Sequence, residues 1–258
     1  MIKTRVLSIY EKNQLLKYGF KDADLLNKGE LPVEYLTNYV EFKNLTIKVN
    51  QDVLIPRVES EELIDLMGDF CNSLNDDIFY LEVGTGSGAI SLAFYDFLTK
   101  QKKKKINKFI VTDLSLSALN LAKENFINLF GDSISNKIEF LQTDLLNSFP
   151  DQKFNLIIAN LPYIPSTMIE KLDESVKNYE PLLALDGGKT GFELINKFLE
   201  QIINKNILKN NGKIFLEVYE AHDVKFIKNN FPNICQNFLI EEFKDQFNRQ
   251  RFLILKKI

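Results

Sequence analysis

Apolar residues along the chain change their rhythm near residue 78. Before it, Val6, Leu7, Ile9, Tyr10, Leu15 and Leu16 recur at helical spacing ahead of a break at Gly19. The stretch "YVEFKNLTIKV" (39–49) alternates apolar and polar residues on either side of Lys43-Asn44, which predicts a β-hairpin. "VLIPR" (53–57) is a short apolar piece closed by Pro56, and "ESEELIDLMGDFCNSL" (59–74) predicts an amphipathic helix. Its acidic opening suits a helix N-terminus.

From Ile78 onward, apolar runs of strand length alternate with helical patterns. "IFYLEV" (78–83), "KFIVTDLS" (108–115), "KIEFLQTD" (137–144), "FNLIIAN" (154–160) and "KIFLEVY" (213–219) predict strands. "AISLAFYDFLT" (89–99), "SALNLAKENFINLF" (117–130) and "GFELINKFLEQIINKNIL" (191–208) predict helices, the last stopped by Asn210-Asn211-Gly212. Such alternation implies a parallel sheet covered on both faces. The chain closes differently: "CQNFLIEEF" (235–243) and "RFLILKKI" (251–258) are two strands with a short connection, hence antiparallel.

Composition narrows the class. A chain of 258 residues with 45% apolar content fits one large domain, or one domain with a small appendage. We place the boundary at residue 55, with a helix and hairpin region over 1–55 and the wound sheet over 56–258. Lys+Arg 32 against Asp+Glu 35 argues against a stand-alone nucleic-acid binder, which needs a basic surface. Cys71 and Cys235 lie far apart without metal-ligand spacing, so both are expected in the core, no metal site is expected, and a reduced cytoplasmic compartment is the default. No stretch has signal-peptide or membrane-spanning length, which predicts a soluble protein with no membrane partner. The lysine tract "KQKKKK" (100–105) reads as a solvated loop, and the single histidine, His222, as a surface or loop residue.

Candidate chemistry begins at "YLEVGTGSGAIS", where Gly84, Gly86 and Gly88 follow the first wound strand. Glycines permit a tight bend and a close approach of ligand to backbone, while the next helix offers free N–H groups. Two cofactors fit. Gly84-x-Gly86-x-x-Ala89 matches the dinucleotide fingerprint, with Asp113 as the ribose-binding acid. Glu82, two residues ahead of Gly84, and Gly88 as third glycine resemble the S-adenosyl-L-methionine motif of class I methyltransferases, where Asp113 would likewise hold the ribose. The closing antiparallel pair, which also occurs in that class, favours this second reading. Asp144 in "QTDLL" stands where that class often contacts adenine.

A second candidate is the abrupt end of the fourth wound strand at Asn160-Leu161-Pro162-Tyr163. Ligands in doubly wound sheets bind beyond the carboxyl ends of the strands. An amide or exocyclic amine nitrogen is a poor nucleophile because its lone pair is delocalised. Accepting hydrogen bonds from both of its N–H groups frees that pair, and the Asn160 side-chain oxygen and the Leu161 carbonyl can accept them. Pro162 lacks an N–H and limits the turn, and Tyr163 offers a flat face for a planar group. The tetrapeptide resembles the Asn-Pro-Pro-Tyr pattern of methyltransferases acting on planar nitrogens, with Leu161 where proline is commonest.

Three further stretches carry a more specific resemblance. "VLIPRVESEELID" (53–65) is similar to the Pro-Arg-Pro-Glu-Thr-Glu segment of the release factor glutamine methyltransferase family, with Val58 for proline and Ser60 for threonine. "YEPLLALDGGKTGFELINKF" (179–198) is similar to that family's Glu-Pro and Gly-Gly segment. "FLEVYEAH" and "KDQFNRQRFLIL" follow its closing pattern, with Tyr219 where glycine is usual. The resemblance covers residues 30–258. It implies a class I methyltransferase, Rossmann-like doubly wound α/β sheet, mostly parallel with a C-terminal antiparallel pair. It also implies a protein-(glutamine-N5) methyltransferase that modifies the Gly-Gly-Gln loop of peptide-chain release factors. Carried onto this chain, Glu82, Gly84, Thr85, Gly86, Ser87, Gly88, Asp113, Leu114, Asp144, Leu145 and Asn160 would form the S-adenosyl-L-methionine site, with S-adenosyl-L-homocysteine as product. Asn160, Leu161, Pro162 and Tyr163 would be catalytic, and Arg57, Glu59 and Glu61 would shape the site. The family usually has a longer N-terminal helical domain, whereas 55 residues precede Pro56 here. A monomer acting on a release factor, with nucleic acid not the direct substrate, is the expectation. The alternatives are an amino-nitrogen methyltransferase acting on adenine or guanine in RNA or DNA, and a ribosomal-protein glutamine methyltransferase.

Overall fold

In the computed structural model, which describes residues 5–25, 28–101, 104–147, 149 and 152–258, the chain opens with helices α1 (Ile9–Lys17) and α2 (Val33–Thr37). A hairpin follows, β1 (Tyr39–Phe42) and β2 (Leu45–Lys48), and then α3 (Glu62–Ser73). The wound part runs β3 (Ile78–Val83), α4 (Ala89–Gln101), β4 (Ile106–Asp113), α5 (Leu116–Phe130), β5 (Glu139–Gln142) and β6 (Phe154–Ala159). It continues with α6 (Glu174–Lys177), α7 (Glu193–Lys205), β7 (Leu208–Glu217), α8 (Val224–Asn230), α9 (Pro232–Asn237), β8 (Phe238–Lys244) and β9 (Gln250–Lys257). Lys102 and Lys103 of the lysine tract lie outside the described residues.

Seven strands form one sheet in the order β5-β4-β3-β6-β7-β9-β8. The first five are parallel, and β9 runs antiparallel to both β7 and β8. The order reverses between β3 and β6, so a crevice opens there above the strand ends. β6 is buried along its whole length, which is why its sequence is apolar on both faces except at Asn155, whose amide bonds the Phe79 N–H and the Asp77 carbonyl. Its residues still divide by parity. Leu156 and Ile158 join Tyr80 and Phe215 under α3, α4 and α5, whereas Ile157 and Ala159 join Leu81 and Leu216 under α7, α8 and α9.

The hairpin is fastened to this frame by one buried amide. Asn125 on α5 accepts the Lys48 N–H and donates to the Lys48 carbonyl, both at 2.9 Å, and donates to the Ser87 carbonyl at 2.9 Å. No described helix is long and apolar enough to cross a membrane.

The expected N-terminal helix is present ahead of Gly19, with a small buried face, and two element boundaries are corrected. Of the N-terminal apolar set only Leu15 is buried, with Leu7 packed partly against it, while Val6, Ile9 and Leu16 face solvent. That helix has only nine residues and covers one small cluster, so helical spacing overstated its apolar face. Helix α7 ends at Lys205 because Asn206 adopts a left-handed conformation (φ 49°, ψ 42°), and Asn210-Asn211-Gly212 lie inside β7. Residues 235–237 belong to α9 rather than to the following strand.

Candidate active site

The glycine-rich turn, the ends of β3, β4 and β6, and the segment 51–60 enclose a cavity of about 360 Å³. This is the scale of a small-molecule site. Its wall includes Glu82, Gly84, Thr85, Gly86, Ser87, Asp113, Leu114, Asp144, Leu145, Asn160, Leu161 and Pro162. The structure therefore brings most of the expected cofactor residues together. Gly88 sits behind the wall, where a Cβ would come within 3.1 Å of Ala122 Cβ on α5.

Each acid in this cavity has a distinct setting. Glu82 ends β3 and is buried, with Oε2 accepting the Thr85 hydroxyl at 2.6 Å and the Ser91 hydroxyl. Burial pushes its carboxyl up to about 7, against the lowering effect of those hydroxyls. Asp113 accepts the backbone N–H groups of Gly86 and Ser115, each at 2.8 Å. Burial raises it too, offset by these N–H groups. Asp144 is solvated and pairs with Lys197 at 3.1 Å. Leu114 is about half exposed at the rim, and Leu145 is buried with φ 50°.

Leu161 is more than a carbonyl carrier. Its side chain is buried, and its Cδ2 lies 3.1 Å from where a Cβ on Gly84 would stand. Gly84 (φ 78°) thus lets the cofactor turn and the strand-end turn touch.

The turn at residues 160–163 is held from two sides. On one side, the register that pairs Ala159 with Leu216 sets Asn160 beside Glu217 at the end of β7. Asn160 Nδ2 donates to Glu217 Oε2 at 3.0 Å, and the Tyr163 hydroxyl donates to Oε1 at 2.9 Å. The Ser60 hydroxyl donates to Oε2 as well. Tyr163 is half-buried beside the cavity rather than in its wall, with an Arg251 Nη1 3.4 Å from its hydroxyl. On the other side, the 185–191 segment is bonded along the loop: Ile164 N–H to the Leu185 carbonyl (3.1 Å), Gly187 N–H to the Ile164 carbonyl (2.9 Å) and Ser166 N–H to the Gly188 carbonyl (2.8 Å). A Cβ on Gly187 would stand 2.6 Å from the Pro162 carbonyl oxygen, and one on Gly191 would collide with the Tyr163 carbonyl. Glycine is needed there for approach.

Arg57, Glu59 and Glu61 are joints. Arg57 lines the cavity and pairs with Glu180 at 2.6 Å, Glu59 pairs with Arg249 at 2.7 Å, and Glu61 accepts the Lys43 N–H at 2.8 Å. His222 is not a surface residue: it is buried, its Nε2 lies 2.9 Å from the Thr190 carbonyl, and Phe192 packs edge-on against its ring. Burial pushes its imidazole below the usual value. Aromatic neighbours, not charge, claimed it.

Pattern reasoning on the sequence missed Glu217, Ser60, Glu180 and Arg251 as site residues. A signal for Glu217 was present. "LEV" stands at the end of β3 and again where β7 ends, each time placing an acid directly after an apolar run, where an ionisable group needs a reason.

A family model described as "methyltransferase small domain" matches residues 66–176. A release factor glutamine methyltransferase of Lactococcus lactis is 32% identical over 246 residues, covering 95% of this chain and 84% of that protein. The chain belongs to the release factor glutamine methyltransferase family. A member from Clostridium acetobutylicum is 31% identical over 249 residues, covering 95% of this chain and 81% of its own. Among solved structures, a methyltransferase from Pyrococcus furiosus superposes with a TM-score of 0.55 at 18% identity, covering 96% of this chain and 99% of that one. The hMettl16 catalytic domain, solved with the MAT2A 3'UTR hairpin 6, superposes with a TM-score of 0.60 at 14% identity, covering 81% and 74%. These two share the fold. For this family the glycine turn is a site for S-adenosyl-L-methionine rather than a dinucleotide, and the residues present fit it. The glycine turn and Asp113 line one end, apolar Leu145 and Leu161 the flank, and Glu82 a region suited to positive charge.

Proposed function

We propose that this chain transfers a methyl group from S-adenosyl-L-methionine to the side-chain amide nitrogen of the glutamine in the Gly-Gly-Gln loop of a peptide-chain release factor. The observation that carries this reading is the orientation of Asn160. Its Nδ2 is occupied by Glu217, which leaves Oδ1 as the group it can offer a substrate N–H.

When bound, S-adenosyl-L-methionine supplies an electrophilic methyl group on a positively charged sulfur. Asn160 Oδ1 and the Leu161 carbonyl accept the two N–H bonds of the glutamine amide and free the nitrogen lone pair. The amide nitrogen would bond to the methyl carbon as the sulfur takes back the electrons of its methyl bond, giving S-adenosyl-L-homocysteine, and the methylated amide would then lose one proton to solvent. Pro162 and the glycine brace hold the acceptors still, and orientation of this kind can supply roughly 7–11 kcal/mol of the barrier. Tyr163, tethered by its hydroxyl, closes the side of the site next to Glu217. The proposal extends to residues 1–55 as the surface that docks the release factor, and to a monomer working in the cytoplasm.

The test is to incubate the protein with S-adenosyl-L-methionine and a release factor and to map the Gly-Gly-Gln peptide by mass spectrometry. Gain of one methylene on the glutamine, abolished by Asn160→Ala, is expected. An unmodified peptide alongside methylated RNA would overturn the reading in favour of a nucleobase substrate.

A further inference from the structure

Three hydrogen-bond donors from two distant parts of the chain, the turn after β6 and the segment before α3, converge on the carboxylate of Glu217. Asn160 Nδ2 (3.0 Å) and the Ser60 hydroxyl reach Oε2, and the Tyr163 hydroxyl (2.9 Å) reaches Oε1. Glu217 is only 1% exposed and does not itself line the cofactor cavity, although Asn160 and Ser60, which it bonds, both do. A buried acid that makes no contact with the reacting space still needs a reason to be there.

A carboxylate only accepts hydrogen bonds. The Asn160 amide facing it must therefore present NH₂ to Glu217 and its oxygen to the other side. A neutral acid or a glutamine at 217 would offer a donor instead. The Asn160 amide could then turn over and direct NH₂ at the substrate, setting donor against donor where an acceptor is needed.

We propose that Glu217 is a positioning residue: its carboxylate fixes the Asn160 amide with Oδ1 toward the substrate nitrogen, and Ser60 and Tyr163 hold that carboxylate in place. This rests on the function proposed above, because only a substrate with N–H groups to donate makes the orientation matter. Burial favours the neutral form of Glu217, while the hydroxyls of Ser60 and Tyr163 and the nearby Arg251 guanidinium favour the charged form. Glu59, from the segment leading into α3, opposes the charge. Methyl transfer therefore requires Glu217 to be ionised, and turnover falls on the acid side as it takes up a proton.

The experiment compares wild type with Glu217→Gln and Ser60→Ala. Expected for Glu217→Gln is a fall in kcat of about 100-fold, the scale seen when one preorganised polar contact is lost. KM for the release factor and the Kd for S-adenosyl-L-methionine should stay within about threefold, since neither ligand is held by Glu217, and the acid limb of the kcat profile should disappear. Ser60→Ala, which removes one of three donors, should lower kcat less and keep that limb. Wild-type kcat in Glu217→Gln would overturn the proposal, as would cofactor binding and thermal stability lost in proportion to kcat. A substrate-independent readout separates the two readings: the Asn160 side-chain amide protons should exchange slowly in wild type and quickly in Glu217→Gln. Equal exchange in both proteins overturns the positioning role whatever the substrate. Slow exchange in a wild type that fails to methylate any release factor overturns the function and leaves the positioning intact.

Discussion

Arg57 and Glu180, 123 residues apart, meet at 2.6 Å and join the segment before α3 to the loop after α6. The Glu180 side chain is almost wholly buried and also accepts the Ile55 N–H at 3.2 Å, while a third of Arg57 reaches solvent. Removing Arg57 would leave a buried carboxylate without its partner, which typically costs about 3–5 kcal/mol. Arg57→Ala should therefore destabilise the protein by about 3 kcal/mol in urea unfolding. Arg57→Ala/Glu180→Ala together should cost less than the two single changes summed, because the second removes the orphan the first creates.

Glu82 gives a pH dependence with a definite sign. Its carboxyl lies at about 7 in the folded protein against an ordinary 4.5, so folding favours the protonated form. Its contribution to stability is full below the unfolded value and is lost as pH rises through about 7. Glu82→Gln should accordingly raise Tm at pH 8 more than at pH 5. A positively charged ligand in the same cavity favours the ionised form, so S-adenosyl-L-methionine should bind wild type more tightly as pH rises from 6 to 7 and release protons on binding. Calorimetry in two buffers of different ionisation enthalpy measures that release, and it should be absent in Glu82→Gln.

Gly191 combines φ 84° with a Cβ position already claimed by the Tyr163 carbonyl. Gly191→Ala cannot be absorbed by a rotamer change, because the obstacle is backbone. Strain of this kind costs about 1–3 kcal/mol, so Tm should fall. Turnover should fall further than Tm predicts, since the displaced atoms belong to the loop that carries Pro162 and Tyr163.

Leu161→Ala separates packing from chemistry. The substituted residue keeps its carbonyl but withdraws the side chain that rests against Gly84. A buried Leu→Ala change costs about 2–5 kcal/mol. Stability should drop by that order, while kcat of the folded fraction at 25 °C changes by less than about tenfold. A kcat loss as large as that of Asn160→Ala would show that the side chain, not the carbonyl, is what the reaction needs.

The sheet was legible in the sequence because its strands are short apolar runs punctuated by glycine, asparagine and proline. β3 and β6 could be bounded almost to the residue for that reason. The end of α7 was not, because Asn206 terminates it by adopting a left-handed conformation that composition does not mark, while the more conspicuous Asn-Asn-Gly fits within a strand. At the site, motif spacing found the residues that line the cavity. It did not find Ser60, Glu180 or Glu217, whose partners lie between 54 and 157 positions away. Local periodicity carries no information at that range. Tyr163 shows the same limit: its position was evident, but the destination of its hydroxyl depended on a strand still to come.

Asn125 grips Lys48 and Ser87 through their main chains alone. The Ser87 side chain takes no part in that grip, whereas Lys48 Nζ adds an ion pair at 2.7 Å to Glu124, the residue before Asn125 on α5. A substitution at 48 keeps these main-chain bonds and gives up only a surface ion pair, whereas position 125 tolerates only a group that donates and accepts at once. The exposed positions of the hairpin can thus change over generations while its seat on the wound sheet stays where it is.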